Sequence, residues 1–292
     1  MTPTKDAVPQ EYADFIGRQE KRTDRLDSHR IANLAALLDE SLNALAPGRR
    51  LPPLSHWLYF NRWAPQSELG DDGHPKRGGF MPPVPLPRRM FAGGRLEFRD
   101  TLVLDEEAER VTTITSIERK TGSSGELVFV TVRHEISGPR GVAIVEEQDI
   151  VYRGDTPPSA TQAPRAAAKA EGKAVPSDAV ISRVSVNPVM LFRFSALTDN
   201  GHRIHYDYPY VTKVEGYPGL VVHGPYQAVL LADLLRRSFP GRVASFRFQA
   251  RRPLFDTAPF ECVAWRENDG ISLMTRDLEG RACMSAQARI ES

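Results

Sequence analysis

The residues best suited to chemistry in this chain fall within one short region. Phe194-Ser195-Ala196-Leu197-Thr198-Asp199-Asn200-Gly201-His202-Arg203-Ile204-His205-Tyr206-Asp207 is followed, after a gap, by Val222-His223-Gly224-Pro225. A histidine, with an ordinary pKa of about 6.5, takes up and returns protons near neutral pH. Asn200 cannot share that work, because an amide donates and accepts hydrogen bonds without useful basicity. A helix opening at Gly224-Pro225 would present unpaired N–H groups and the positive end of its dipole. Both favour an oxygen that is gaining negative charge. Each of these residues also has an ordinary structural use. Asp199 and Asn200 favour turns, Gly224 suits a helix start, and a histidine can simply be hydrogen-bonded in a core.

The elements that must position them are legible in outline. After Pro225, the residues Val229, Leu230, Leu231, Ala232, Leu234 and Leu235 are apolar nearly all round, which predicts a buried helix over 225–239 with Gly241 past its end. Ala244, Phe246, Phe248 and Ala250 then alternate with polar residues, as do Met284, Ala286, Ala288 and Ile290, which reads as strands with one wet face. An earlier block has similar grammar. Ser28 suits an N-cap, Ile31, Leu34, Ala35, Leu38, Leu42 and Leu45 recur at helical spacing, and Pro47-Gly48 stops the run. A Pro- and Gly-rich stretch follows, in which residues 82–87 read as an extended strap over a cleft. Strands are expected at 95–103, 110–119, 126–136 and 142–152, and another at 179–186, followed by an irregular stretch. Residues 154–178 form a polar, Pro- and Ala-rich linker without aromatic residues. The expected organisation is an α+β pseudo-dimer: a unit at 1–153, the linker, and a second unit at 179–292.

Composition narrows the function classes. The net charge of +1 offers no nucleic-acid surface and no polybasic membrane patch, and no apolar run reaches membrane-spanning length. Cys262 and Cys283 lack metal-type spacing and read as buried free thiols. A cytoplasmic protein is expected, with no signal segment at its start.

In three pieces the chain resembles a known family: Ser195-Ala196-Leu197-Thr198, Asn200-Gly201-His202-Arg203-Ile204-His205-Tyr206-Asp207, and Glu215-Gly216-Tyr217-Pro218-Gly219-Leu220-Val221-Val222-His223-Gly224-Pro225. It is similar to the hot-dog hydratases of the MaoC type, and more closely to their double-hot-dog branch of mesaconyl-CoA or itaconyl-CoA hydratases, which carry an N-terminal dehydratase-like domain. Asp14-Phe15-Ile16-Gly17-Arg18 and Arg88-Arg89-Met90-Phe91-Ala92-Gly93-Gly94-Arg95 extend the likeness more weakly. The resemblance implies a double hot-dog fold, each unit a central helix wrapped by an antiparallel sheet, and hydration or dehydration of an acyl-CoA. It maps the family's catalytic histidine to His205 and the catalytic aspartate, five residues earlier, to Asn200. This chain departs from the simplest pattern there, so His205 is left with the acid–base work and Asn200 with orienting water. Asp199 is the alternative partner if the loop is shifted by one. The oxyanion donor maps to the Gly224 N–H.

Candidate groups for binding substrate or its CoA are Arg203, Arg88, Arg89, His223 and Tyr206, with Lys76, Arg77, Lys213, Arg251 and Arg252 as further cations for the phosphates. The stretch from His56 to Phe60, with Trp63, suits an acyl pocket or plain packing. A thioesterase on the same fold is the first competing function. It would place a carboxylate on the central helix, where Asp233 is the candidate, expected to face solvent. A non-catalytic acyl-CoA-binding subunit is the second. Coenzyme A enters as part of the substrate, and a homodimer is possible. No separate cofactor and no metal motif is expected, so activity is expected to survive EDTA. Loss of turnover on chelation, restored by a divalent ion, would contradict that reading.

Overall fold

The computed structural model describes residues 10–40, 49–122, 125–154 and 175–291. Among these described residues ten strands form one antiparallel sheet. They are β1 (Gln19–Arg25), β2 (Arg88–Phe98), β3 (Glu107–Gly122), β4 (Gly125–Gly138) and β5 (Gly141–Arg153), then β6 (Val180–Val184), β7 (Arg242–Ala250), β8 (Phe260–Glu267), β9 (Gly270–Arg276) and β10 (Ala282–Glu291). The order across the sheet is β1-β3-β4-β5-β2-β7-β10-β9-β8-β6. Read outward from the β2–β7 seam, each half has the same connectivity, so the duplication inferred from element order is written into the sheet. The fold is a double hot-dog.

At the seam Gly93, Gly94, Arg95, Leu96 and Glu97 pair with Gln249, Phe248, Arg247, Phe246 and Ser245. A β-carbon on Gly93 would stand 2.6 Å from the Phe248 carbonyl oxygen, so only glycine lets the two backbones approach this closely. One apolar core runs beneath the seam, from Leu96 on β2 through Phe246 and Phe248 to the second half's helix.

That helix, α4 below, is the wrapped one. The helices are α1 (Ser28–Leu37), α2 (Pro188–Leu197), α3 (Tyr208–Lys213) and α4 (Gly224–Ser238). α4 lies against β8, β9 and β10 and buries Tyr226, Ala228, Val229, Leu231, Ala232, Leu234 and Leu235. Each of the three leucines is worth about 1.5–3 kcal/mol of burial. Gln227 is buried among them, and Thr275 Oγ1 at 2.8 Å from its Oε1 provides the partner such a group needs.

In the first half α1 packs on α2 rather than on the sheet. The concave face is covered instead by the Pro-rich strap: Val84, fully buried, sits with Tyr12 among Ile114, Ile117, Val128, Val130, Val132 and Tyr152. Prolines at 82, 83, 85 and 87 lack the N–H donors a helix requires, so the segment stays extended.

Several local expectations change. The N-cap of α1 is Asp27, whose carboxylate accepts the Arg30 N–H, not Ser28, and the helix ends at Leu37. The expected continuation through Leu42 and Leu45 to Pro47-Gly48 lies outside the described residues, as does 155–174 of the linker. The stretch expected to be irregular after β6 contains α2 and α3, α2 being capped by Asn187 with Pro188 in its first turn. β1 was not foreseen because Gln19-Glu20-Lys21-Arg22-Thr23-Asp24-Arg25 has no apolar alternation; it is a polar strand at the sheet's edge, where charge blocks further pairing. Cys262 and Cys283 are free and buried. Among the described residues no helix is long and apolar enough to cross a membrane.

Gly93→Val is expected to lower stability by about 1–3 kcal/mol, as overpacking against backbone does. Thermal unfolding of the variant at the wild-type midpoint would show that the seam tolerates a side chain.

Candidate active site

Two loops of the second half are tied together to hold His205. The Val221 N–H donates to the Ile204 carbonyl at 3.0 Å, and His205 Nδ1 lies 2.8 Å from the Val221 carbonyl oxygen. A carbonyl only accepts, so Nδ1 carries the proton and Nε2 of the neutral ring keeps its lone pair. Burial pushes the His205 pKa down to about 4, against the small upward pull of that hydrogen bond. At neutral pH the ring is therefore an unprotonated base of fixed tautomer.

His205 is the centre of a row of imidazoles. Its ring stacks on His223 at 3.6 Å between centroids and meets His202 edge-on at 5.5 Å, and His202 in turn lies 4.1 Å from His74. His223 is fully buried, with Nε2 2.8 Å from Ser195 Oγ, so it backs His205 rather than lining the pocket. Its pKa is lowered by burial and by His205 and His202, and that of His202 falls to about 2 through burial and its histidine neighbours.

His223 is also the N-cap residue of α4 and makes no side-chain capping bond, so no side chain competes for the helix's first N–H groups. A β-carbon built on Gly224 would meet only the Phe91 ring, at 3.9 Å, so Phe91 stands beside the first turn of α4. Phe91, Trp57 and Phe248 form an aromatic cluster there, with centroids 5.5–6.2 Å apart. Trp57 is fixed by its Nε1–H to Glu146 Oε1 at 2.9 Å, and Glu146 Oε2 holds His56 Nε2 at 2.9 Å. Burial alone would raise the Glu146 pKa. The His56 bond and charge, the His134 charge and the Gln148 amide outweigh it and hold the carboxyl at about 2.

Asn200 and Asp199 sit in the turn before His205. Asn200 Oδ1 accepts the His202 N–H at 3.0 Å, leaving its amide NH2 as a donor. Asp199 has a left-handed backbone (φ 51°) and its carboxylate accepts the Nε1–H of the exposed Trp63. The cations divide sharply. Arg203 is held by Asp207 at 2.8 Å and by the Asp71 carbonyl, and Arg88 lies 3.0 Å from Glu215. Arg77 donates to the carbonyls of Val84, Leu86 and Pro87 and so pins the strap. Tyr206 bonds the Gly201 carbonyl at 2.8 Å. Arg89 differs: its charge reaches Tyr152, His74 and His202, and among the described residues no ion pair joins it to a carboxylate. Asp233 does not face solvent as expected. Its carboxylate, about one-tenth exposed, is taken up by Arg236 and Arg237.

Asp72 and His74 escaped the sequence reading, because Asp71-Asp72-Gly73-His74 lies in a loop without periodicity about 130 residues upstream of its partners. The loop docks on the catalytic one through the Arg203 N–H to the Asp72 carbonyl at 2.9 Å, and Gly73 touches Gly201 so closely that a β-carbon would be 2.0 Å from its carbonyl oxygen. Asp72, His74 and His202 offer an oxygen and two nitrogens within 4.8 Å of one another, a spacing that suits a metal ion. Asp72 Oδ1 accepts the His74 N–H at 2.9 Å and Oδ2 faces His74 Nδ1 at 3.0 Å, so the carboxylate is oriented by His74.

A double hot-dog carries here a neutral histidine of fixed tautomer beside a helix start with no side-chain cap, an arrangement that acid–base chemistry could use. The chain belongs to the hydroxyacyl-thioester dehydratase type 2 family, whose pattern it matches over residues 54–256. It is 44% identical to the mesaconyl-C(4)-CoA hydratase of Chloroflexus aurantiacus over 280 residues, 96% of this chain and 98% of that one. It is 26% identical to the mitochondrial hydroxyacyl-thioester dehydratase type 2 of Schizosaccharomyces pombe, covering 83% of this chain and 85% of that one. Among solved structures it is similar in fold to a MaoC-like dehydratase of Phytophthora capsici (TM-score 0.67, 15% identity, 94% of this chain and 96% of that one). It is likewise similar to a double-hot-dog protein of Mycobacterium tuberculosis (TM-score 0.60, 14% identity, 96% and 97%). The protein is an acyl-CoA hydratase or dehydratase.

The buried histidines set a pH dependence of stability. His134 and His205 are depressed by burial to about 4, and His202 and His223 are lowered too, whereas the unfolded chain protonates each near about 6.5. As pH falls from about 6.5 toward 4 the unfolded state binds protons the folded state refuses, so stability is lost in that window and is fully present above it. The unfolding temperature is expected to hold above pH 7.5 and to fall by roughly 5–10 °C by pH 5. A flat profile down to pH 5 would mean these rings are not held neutral.

Proposed function

We propose that the protein adds water to, or removes it from, the α,β-double bond of a short, branched C5 dicarboxylic acyl-CoA of the mesaconyl, itaconyl or citramalyl type, in the cytoplasm and without a separate cofactor. The observation that carries this reading is His205, locked by Val221 with Nε2 unprotonated and stacked on the residue that opens α4. In the hydration direction Nε2 takes a proton as the water oxygen bonds to the β-carbon. The alkene electrons move onto the thioester oxygen, which the Gly224 N–H stabilises, and the α-carbon then receives a proton. The Asn200 NH2, left free as a donor, orients the water. The dicarboxylic substrate is supported by the 44% identical relative, a mesaconyl-C(4)-CoA hydratase, and by Arg89, a cation beside the histidine row with no acidic partner among the described residues. The neutral aromatic cluster of Trp57, Phe91 and Phe248 supplies an apolar wall for the carbon chain.

The test incubates the enzyme with mesaconyl-CoA thioesters and crotonyl-CoA, following enoyl-thioester absorbance, free thiol and product mass. Expected are loss of absorbance, a mass gain of one water, no thiol release and preference for the dicarboxylic esters. His205→Ala is expected to lower kcat by roughly 10²–10⁴, the usual share of acid–base catalysis. Thiol release would indicate a thioesterase, and a His205→Ala enzyme of wild-type rate would remove His205 from the chemistry.

A further inference from the structure

His205 has an unusual deficit for a histidine base. The atom that orients it, the Val221 carbonyl oxygen, is neutral, and both rings in contact with it are neutral imidazoles. The position that the resemblance assigns to an aspartate is Asn200. Between taking a proton from water and returning it to the α-carbon, the site therefore holds a buried imidazolium with no charge of opposite sign beside it. Such a charge is costly unless it is paired.

One loop of the first unit answers this. Asp72 is clamped by two donors of His74, the backbone N–H at 2.9 Å and Nδ1 at 3.0 Å. Its pKa is lowered: burial would raise it, but the His74 bonds, with the charges of His74 and His202, outweigh that effect. His74 lies 4.1 Å from His202, and His202 5.5 Å from His205, so the carboxylate ends a continuous row of rings that begins at the base. The loop is held there by the Asp72 carbonyl accepting the Arg203 N–H and by the Gly73–Gly201 contact, both between the two units.

We propose that Asp72, carried by His74 and His202, is the counter-charge for the imidazolium formed at His205, so that the first unit completes the active site of the second. This rests on His205 being the base. Asp72 touches no reacting atom in this scheme and is a positioning residue. The bookkeeping of the step closes: the water O–H breaks, its proton resides on His205 Nε2 while the thioester enolate exists, and the same proton goes to the α-carbon. Asp72 gains and loses nothing. The field of the partly exposed Asp72 carboxylate, within 4.8 Å of a His202 ring nitrogen, stabilises only the charged intermediate and so acts on kcat rather than on substrate affinity.

Steady-state kinetics of four variants, each checked for folding by thermal unfolding, test this. Asp72→Asn keeps one acceptor for the His74 backbone N–H and removes the charge together with the second acceptor. It is expected to lower kcat roughly ten- to hundredfold, with KM within about threefold of wild type. Asp72→Glu should recover at least a third of the wild-type kcat. His74→Gln retains a donor for the carboxylate and should lose less than Asp72→Asn. His205→Ala serves as the control on the underlying reading: its full activity would sink that reading, whereas an inactive His205→Ala beside a fully active Asp72→Asn would sink only the role of Asp72. Equal losses in His74→Gln and Asp72→Asn would overturn the proposal, because the imidazole and not the charge would then matter. Activity lost to EDTA and restored by zinc would overturn it as well, since the cluster would be a metal site. Should Asp72→Asn not fold, Asp72→Ser removes the same charge and carries the same expectation.

Discussion

The antiparallel seam between β2 and β7 is the contact on which the rest of the molecule depends. Five residue pairs join two five-stranded halves into one sheet, and the join tolerates no β-carbon at Gly93. Because side chains alternate faces along a strand, a slip of one residue would turn Phe246 and Phe248 away from the core. Phe248 in turn holds Phe91 and Trp57 against the start of α4. The register of the seam also determines whether the loop carrying Asp72 and His74 reaches the one carrying His202 and His205. The candidate site thus draws on both halves of the sheet, through the Arg203 N–H to Asp72 carbonyl bond and the Gly73–Gly201 contact.

The halves share strand order but not content, and the difference has a physical basis. α4 is wrapped by the second half, with a free N-terminal turn at the site and its apolar faces in the core. The first half closes its concave face with a strap of prolines, which has no such turn to offer a ligand. The strap has its own polar requirement, since its carbonyls lie outside any ladder, and Arg77 meets it by bonding three of them. Trp57, Phe91, Asp72 and His74 of the first half lie against the second half's Phe248, Gly224 and His202.

The sequence was readable where local pattern carries the information. The apolar run from Val229 to Leu235 and the alternation of Ala244, Phe246 and Phe248 gave a helix and a strand close to those observed, 225–239 against Gly224–Ser238 and a strand that proved to be Arg242–Ala250. It was unreadable where tertiary contact decides. β1 is a strand of polar residues because β3 offers it an edge, not because of its own pattern. α2 was hidden because Asn187-Pro188 is a strong helix start followed by a segment too evenly apolar to show a period. Within the site, the mapping of Asn200, His205 and Gly224 came from the family resemblance of two nearby stretches, 200–207 and 215–225. Asp72 and His74 lie in a separate loop, and only folding reveals that they are neighbours.

The neutral amide at position 200 has a physical rationale in the row that surrounds it. Asn200 Oδ1 already performs the structural task a carboxylate would perform there, accepting the His202 N–H that shapes the turn. A charge in its place would raise the basicity of the nearby rings and pull them toward imidazolium. With the amide, burial keeps His202 and His205 unprotonated, and the lone pair at His205 Nε2 remains available across the neutral range. The cost of that arrangement falls on stability in acid, where every buried ring favours the unfolded chain. In the proposed scheme the cluster's carboxylate, at the far end of the row on His74, separates two demands that conflict in a single residue: it supplies negative charge for a protonated intermediate, while burial still holds the resting His205 unprotonated.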